Sequence, residues 1–241
     1  MSMVQYWMLM VVKFNKKGKM TAVVAVREGS QRVPKKNIRK FADTNLLELK
    51  LKVLVNTKHI DEIIVNSDSD EMLEMGKNFG VVCQKREEYF ASSNATNSEF
   101  HGHIAKTTAT DFIFLAPACS PFISSKAHDE AILKFRNSDN DSLTSTHEVK
   151  GHLWLNGKPM NYDLSNVPNS QDLPDIQMLN YGISIIEKKT MEINKALIGN
   201  NPGFTQLNTI QSIDINTLEE FEIAELLFEN NLIPNLISYN S

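Results

Sequence analysis

Short apolar runs rich in β-branched residues alternate with longer segments of helical periodicity along most of this chain, and few folds accommodate that rhythm. Ala22 to Val26 (AVVAV) is the first such run, and a basic loop leads from it to Leu46 to Val55, where apolar residues recur at helical spacing. A strand at Glu62 to Val65, a helix from Asp70 to Asn78, a short strand at Val81 to Cys83 and a helix from Asn97 to Thr107 follow. Phe112 to Leu115 then reads as a buried strand and Lys126 to Phe135 as a helix. Strands separated by helices run in the same direction, because each helix carries the chain back to its starting edge. The expected fold is therefore α/β, with a mainly parallel mixed sheet between two helical layers in a Rossmann-like, three-layer arrangement.

The rhythm changes after Asn137. Ser142 to Val149 and His152 to Leu155 read as short strands, and Asn156-Gly157 between extended runs is a strong hairpin signal. A polar, proline-containing stretch continues to Asp175, so residues 137–175 or thereabouts are expected to form an inserted β-hairpin arm. The chain returns with a strand at Tyr181 to Ile186, a helix beginning near Lys188, a strand near Phe204 to Leu207 and a helix from Thr217 to Phe228.

Composition excludes several classes. With 241 residues, 41% of them hydrophobic and 22% charged, the chain has ordinary globular usage and enough length for one well-buried domain. A net charge of −4 with no basic stripe argues against a nucleic-acid partner. Cys83 and Cys119 have neither metal-ligand spacing nor the density of a disulfide scaffold, which fits a reducing cytoplasm. Met3 to Val12 is an apolar run interrupted only by Gln5, too short to span a bilayer. It is followed by Lys13, Lys16, Lys17 and Lys19 rather than by a small-residue cleavage site. Residues 1–19 are thus expected to be an N-terminal extension, with residues 20–241 forming the domain and no membrane partner.

Open α/β sheets bind ligands beyond the carboxyl ends of their strands, which directs attention to the loop from Arg27 to Asn37 (REGSQRVPKKN). It carries Arg27, Arg32, Lys35 and Lys36, a glycine at Gly29 that lets backbone approach a ligand, and Pro34 to stiffen the approach to Lys36. Such a loop can cradle a triphosphate, and a solvated basic loop would have the same composition. Its spacing is that of neither a P-loop nor a dinucleotide site.

The order R-x-G-S-x-R-[IV]-P-x-K-N after a first strand resembles the signature of the acylneuraminate cytidylyltransferases. The likeness continues in order. Asn66 to Asp70 (NSDSD) resembles that family's S-x-D-D-E turn, Arg86 to Ala91 its R-P-x-x-L-A segment, and Ser120-Pro121 its T-S-P turn. Asn169 to Pro174 (NSQDLP) resembles N-R-Q-D-L-P, and Ser212 to Asn216 (SIDIN) stands where D-I-D is common. Pro34 to Asn37 departs from the P-G-K-P-L ending usual in the related 3-deoxy-octulosonate enzymes, which favours the sialic-acid branch. Further departures are Glu28 in the phosphate loop, Pro117 in place of a glutamine, Ser170 in place of an arginine and Asn216 in place of a second aspartate.

The resemblance implies a nucleotidyltransferase fold and a homodimer held through the arm. It also implies attack by the anomeric hydroxyl of a sialic-acid-like 2-keto sugar acid on the α-phosphorus of CTP, releasing pyrophosphate. It assigns Arg27, Arg32 and Lys36 to the phosphates, and Gly29, Ser30, Asn37, Arg86, Ala95 and Ser120 to the nucleotide. Gln171 on the arm is assigned to the sugar, and Asp214 with Asn216 to Mg²⁺, a hard cation usually held by a carboxylate and substrate phosphates. Simpler roles exist for several of these: a surface ion pair with Glu87 or Glu88 for Arg86, a polar turn for Gln171, a helix-capping turn for Asp214. Cys119 reads as a packed residue, since this chemistry needs no nucleophile. The alternatives are the same transfer to a legionaminic-type or pseudaminic-type acid or a 3-deoxy-octulosonate, and a nucleotide- or sugar-binding protein with weakened catalysis.

Overall fold

The computed structural model describes residues 15–237, so the apolar run from Met3 to Val12 lies outside the described residues. Nine strands and seven α-helices are described: β1 (Met20–Ala25), α1 (Leu46–Val55), β2 (Glu62–Ser67), α2 (Asp70–Asn78), β3 (Val82–Lys85), α3 (Glu88–Ala91), α4 (Asn97–Thr107), β4 (Phe112–Leu115), α5 (Ser125–Arg136), β5 (Ser142–Val149), β6 (Trp154–Leu155), β7 (Lys158–Pro159), β8 (Ile176–Glu187), α6 (Lys188–Asn194), β9 (Pro202–Gln206) and α7 (Leu218–Glu229). The main sheet has seven strands in the order β3-β2-β1-β4-β8-β5-β9. All its pairings are parallel except those of β8, which runs against both β4 and β5.

Alternation along the strands divides the core in two. Ala22, Val24, Phe112 and Phe114 face one side, with Leu47 and Leu54 of α1, Met72 of α2, Phe135 of α5 and Phe221 of α7. Val23, Ile113, Leu115 and Ile186 face the other, with Ile104 of α4 and Met191 of α6. Successive strand side chains point to opposite faces, so a strand buried on both must be apolar throughout, as FIFL in β4 is. The three-layer α/β expectation holds. Among the described residues no helix is long and apolar enough to cross a membrane.

The helices begin where their sequences provide caps. Asn45 accepts from the Glu48 amide, and Thr96 and Thr217 form capping boxes with Glu99 and Glu220.

One expectation needs correcting. Ser142–Val149, read as part of the arm, is strand β5 of the main sheet, and its first five residues are buried. Beyond Thr146, β5 continues with the first half of β8 as a two-stranded stalk, pairing His147 with Met178 and Val149 with Ile176. The β6–β7 hairpin then forms a separate two-stranded sheet around Asn156-Gly157, both residues having positive φ. The segment preceding β1 is tied down: Lys16 bonds the Asn140 carbonyl and Glu187, and the Lys19 amide donates to Asp111.

Candidate active site

Strand order reverses at β1. The chain steps outward through β2 and β3, then returns to place β4 on the other side of β1. At such a switch point the loops after the two central strands diverge and leave a crevice. A cavity of about 390 Å³ lies there, between the loop after β1 and the loop after β4. Arg27, Arg32 and Lys36 line it with Ser30 and Asn37, opposite Pro117 to Cys119, and Asn216 closes one end. Among the described residues no carboxylate is in the lining.

A buried valine and a nearby carboxylate anchor the cationic loop. Val33 is fully buried in the large core, and Asp68, from the NSDSD turn after β2, accepts from the Glu28 amide at 3.1 Å. Each cation donates to a neutral acceptor. Arg27 Nη1 reaches the carbonyls of Ala91 and Ser92 at 2.9 and 3.2 Å, Arg32 Nη2 the Asn216 Oδ1 at 2.8 Å, and Lys36 Nζ the Ile215 carbonyl at 2.6 Å. Their positive charge is therefore concentrated around an opening without a fixed anion, the electrostatic requirement for binding a polyphosphate.

The segment before α7 forms the opposite wall. Ser120 Oγ lies 3.4 Å from Asp214 Oδ1, Asn216 Nδ2 donates to Asp214 Oδ2 at 2.6 Å, and the Ile215 amide donates to the Cys119 carbonyl at 2.9 Å. Asn216 thus bridges Arg32 and Asp214. Asp214 fits as the single carboxylate ligand of a Mg²⁺ whose other oxygens come from substrate phosphates, whereas the Asn216 oxygen already faces a guanidinium. Burial, with Asp214 close by, pushes the Cys119 thiol up to about 12, which keeps it protonated and unsuited to nucleophilic attack.

Behind this wall is a residue that sequence reasoning passed over. Lys50 of α1 is completely buried, with Nζ donating to the Ser120 carbonyl at 2.9 Å, and burial lowers its pKa to about 8. Its position one turn from Leu46, Leu47 and Leu54, on the apolar stripe of the helix, was the available signal.

Other expected residues stand apart. Arg86 is buried rather than ion-paired at the surface: Nε and Nη2 donate to Asn66 Oδ1 and the Asn66 carbonyl at 2.6 and 2.7 Å, and the guanidinium lies over Phe100. Burial lowers its pKa to about 10, leaving it charged at neutral pH. It is not in the cavity lining, and neither are Gly29, Ala95 or Ser120. Gly29 is in open space, where a Cβ would meet nothing within 4 Å. Gln171 is exposed on a 3₁₀ turn of the arm, Ser170–Asp172.

A second cavity, about 470 Å³, adjoins the first through Asn216. It is walled by His147 of β5, Met178 to Tyr181 of β8, Ser212 to Asp214, and Glu220 and Ile223 of α7. His147 Nδ1 and Asn180 Nδ2 are buried without a hydrogen-bond partner among the described residues. The SIDIN segment marked one wall of this cavity, but the walls from β5 and β8 carry no motif, because they come from distant stretches.

A doubly wound sheet with a carboxylate-free cationic crevice at its switch point, adjoining a second cavity through Asn216, is the arrangement of a nucleotide-binding α/β fold. The chain belongs to the cytidylyltransferase family, whose sequence pattern matches residues 21–232. It is 26% identical to the post-translational flagellin modification protein B of Campylobacter coli over 87% of this chain and 95% of that one. Identity to the N-acylneuraminate cytidylyltransferase of Oncorhynchus mykiss is 24%, over 85% of this chain and 49% of that one. Identity to a pseudaminic acid cytidylyltransferase of Campylobacter jejuni is 23%, over 87% and 96%. In fold it resembles the 4-diphosphocytidyl-2C-methyl-D-erythritol synthase of Anaerococcus prevotii, with a TM-score of 0.67 and 14% identity over 88% of this chain and 96% of that one. It also resembles a CMP:2-keto-3-deoxy-manno-octonic acid synthetase solved with CTP, with a TM-score of 0.65 and 11% identity over 88% and 99%.

Proposed function

We propose that this cytidylyltransferase moves the CMP unit of CTP onto the anomeric hydroxyl of a sialic-acid-like 2-keto sugar acid and releases pyrophosphate. The observation that carries the reading is the pairing of two cavities that share Asn216, one cationic and free of carboxylates, the other more apolar and walled in part by Asp214. CTP occupies the first, with Arg27, Arg32 and Lys36 on its phosphates and Ser30 and Asn37 hydrogen-bonding phosphate or ribose oxygens. The acceptor occupies the second, so that its hydroxyl meets the α-phosphorus at the join. Catalysis is then orientation of two anions together with neutralisation of charge growing on the leaving phosphates. Asp214 is the residue that would hold a Mg²⁺ ion, which would supply further neutralisation of the phosphate charge. The acting species is a homodimer, whose arm brings Gln171 towards the partner's sugar site.

The test is to incubate the protein with CTP, Mg²⁺ and a panel of 2-keto sugar acids, reading pyrophosphate and the CMP-sugar by mass. Product with CTP and none with ATP, GTP or UTP is expected. Lys36→Met should fold normally and lose about 10²–10³ in rate, the usual effect of removing one charge-stabilising donor. Binding of CTP without turnover of any acceptor would favour a nucleotide-binding role instead.

A further inference from the structure

Among the described residues, the fully buried ammonium of Lys50 takes part in no ion pair. Its titratable neighbours carry no compensating charge either, because burial keeps the Cys119 thiol protonated and the His128 imidazole neutral. Both ring nitrogens of His128 lack a hydrogen-bond partner among the described residues, and the ring stands edge-on to Phe114. One neutral acceptor, the Ser120 carbonyl at 2.9 Å, offsets only part of the desolvation of such a charge, which makes it a poor device for stabilising a core. Its base is nevertheless rigid: Asn45 caps α1, and Leu46, Leu47, Leu51 and Leu54 around Lys50 are fully buried. The ammonium is therefore a fixed point beneath the loop after β4.

Two connections run from that loop into the site. Through the side chain, Ser120 Oγ lies 3.4 Å from Asp214 Oδ1. Through the backbone, the Cys119 carbonyl accepts from the Ile215 amide at 2.9 Å, and the Ile215 carbonyl accepts from Lys36 Nζ at 2.6 Å. From the other side β8 leaves the loop no slack, since a Cβ on Gly182 would come within 2.6 Å of Ile123 Cδ1 and 3.4 Å of the Ser120 side chain. We infer that Lys50 is a positioning residue for the transfer: its ammonium pins the Ser120 peptide, and through that peptide it holds Asp214 and the carbonyl partner of Lys36 in the geometry that receives the nucleotide phosphates. This rests on the first cavity being the CTP site.

The experiment compares wild type with Lys50→Met, which matches the side chain to within one atom and lacks the ammonium, and with Lys50→Gln, which returns a neutral donor. Amide hydrogen exchange is measured without substrate, and CMP transfer with CTP, Mg²⁺ and an acceptor. In Lys50→Met the Ile215 amide should exchange about tenfold faster, as a locally loosened contact does. Its kcat should fall by about tenfold or more and its magnesium demand rise, with the acceptor KM within about twofold of wild type. Lys50→Gln should lie between the two, and it carries the comparison if Lys50→Met fails to fold. Leu54→Ala, which opens the core on the same helix, should lower Tm without raising the magnesium demand. If Lys50 acts through Ser120, the kcat losses of Lys50→Met and Ser120→Ala should multiply to more than the double variant loses. Wild-type exchange at Ile215, wild-type kcat in both Lys50 variants, or fully multiplicative losses would each overturn the inference. Wild type releasing no pyrophosphate with any acceptor would remove the transferase reading and the catalytic part of this role, while exchange at Ile215 would still show whether Lys50 holds the wall.

Discussion

Lys50 carries its charge into the core, where among the described residues the Ser120 carbonyl alone receives it. His128 faces it, fully buried and held neutral by desolvation with Lys50 adding to the effect, and the Cys119 thiol lies close enough to raise the lysine slightly. The folded pKa of about 8 lies below the ordinary 10.5 of the unfolded chain. Below pH 8 both states are protonated and the burial penalty is fully present. Between 8 and 10.5 the unfolded chain binds the proton that the folded one has released, so stability rises with pH in that window, by about 3 kcal/mol in all. Cys119, with its pKa raised, acts in the opposite sense above pH 9. A comparison with Lys50→Met removes most of that contribution. In urea titrations, wild-type stability minus that of Lys50→Met should climb by about 2–3 kcal/mol from pH 7.5 to 10.5. A flat difference would mean the buried ammonium is better solvated than its surroundings indicate. Asn216 makes a second residue-scale case. As a bridge from Arg32 to Asp214 it adds no negative charge, and Asn216→Asp would set two carboxylates side by side. That variant should reach half-maximal activity at lower Mg²⁺ than wild type, and superimposable magnesium titrations would show that residue 216 only shapes the turn before α7.

At the scale of elements, Arg86 ties the carboxyl ends of β2 and β3 to α4: two donors to Asn66, its own amide to the Ser67 carbonyl, and its guanidinium over Phe100. Truncation leaves Asn66 Oδ1 buried with one partner fewer, so Arg86→Met should cost about 1–3 kcal/mol in calorimetry. A variant as stable as wild type would free Arg86 for the nucleotide role its sequence context suggests. The same scale explains which features could be read from the sequence. Helices α1, α2 and α4 and strand β4 fall at their expected bounds because the signals that set them, caps and apolar periodicity, are local. The cationic loop was legible for the same reason, as it directly follows the first strand. Ser142–Val149 was misplaced into the arm because nothing within those eight residues reveals pairing with β8 and β9, some 30 to 60 positions further on. The second cavity depends on that pairing, so it became visible only with the register.

At the scale of the whole molecule, the segment from Gly151 to Asp175 presents apolar side chains that the described fold does not cover. From Gly151 to Asp175 the only buried residue is Leu173, while Trp154, Leu155, Met160, Leu164 and Val167 are each more than half exposed. The arm keeps its shape through polar and aromatic contacts: Trp154 Nε1 to the Tyr162 hydroxyl at 2.6 Å, His152 edge-on to Tyr162, and the Asn161 side chain bridging Gly151 and Leu153. Such contacts define a conformation but leave the apolar side chains in water, and contiguous exposed patches of that kind mark interaction surfaces. A two-fold dimer would bury each arm against its partner and, at about 800 Å² per protomer, satisfy the ordinary size of a stable interface. Sedimentation should therefore give twice the protomer mass. Leu155→Asp combined with Leu164→Asp should halve it, since neither side chain contributes to the main core and each charge would be desolvated at the interface. If Gln171 completes the partner's sugar site, the separated protomers should keep their affinity for CTP while their KM for the acceptor rises. A wild-type protein that sediments as a monomer at micromolar concentration would rule out the dimer, and a double variant that remains dimeric would place the contact elsewhere.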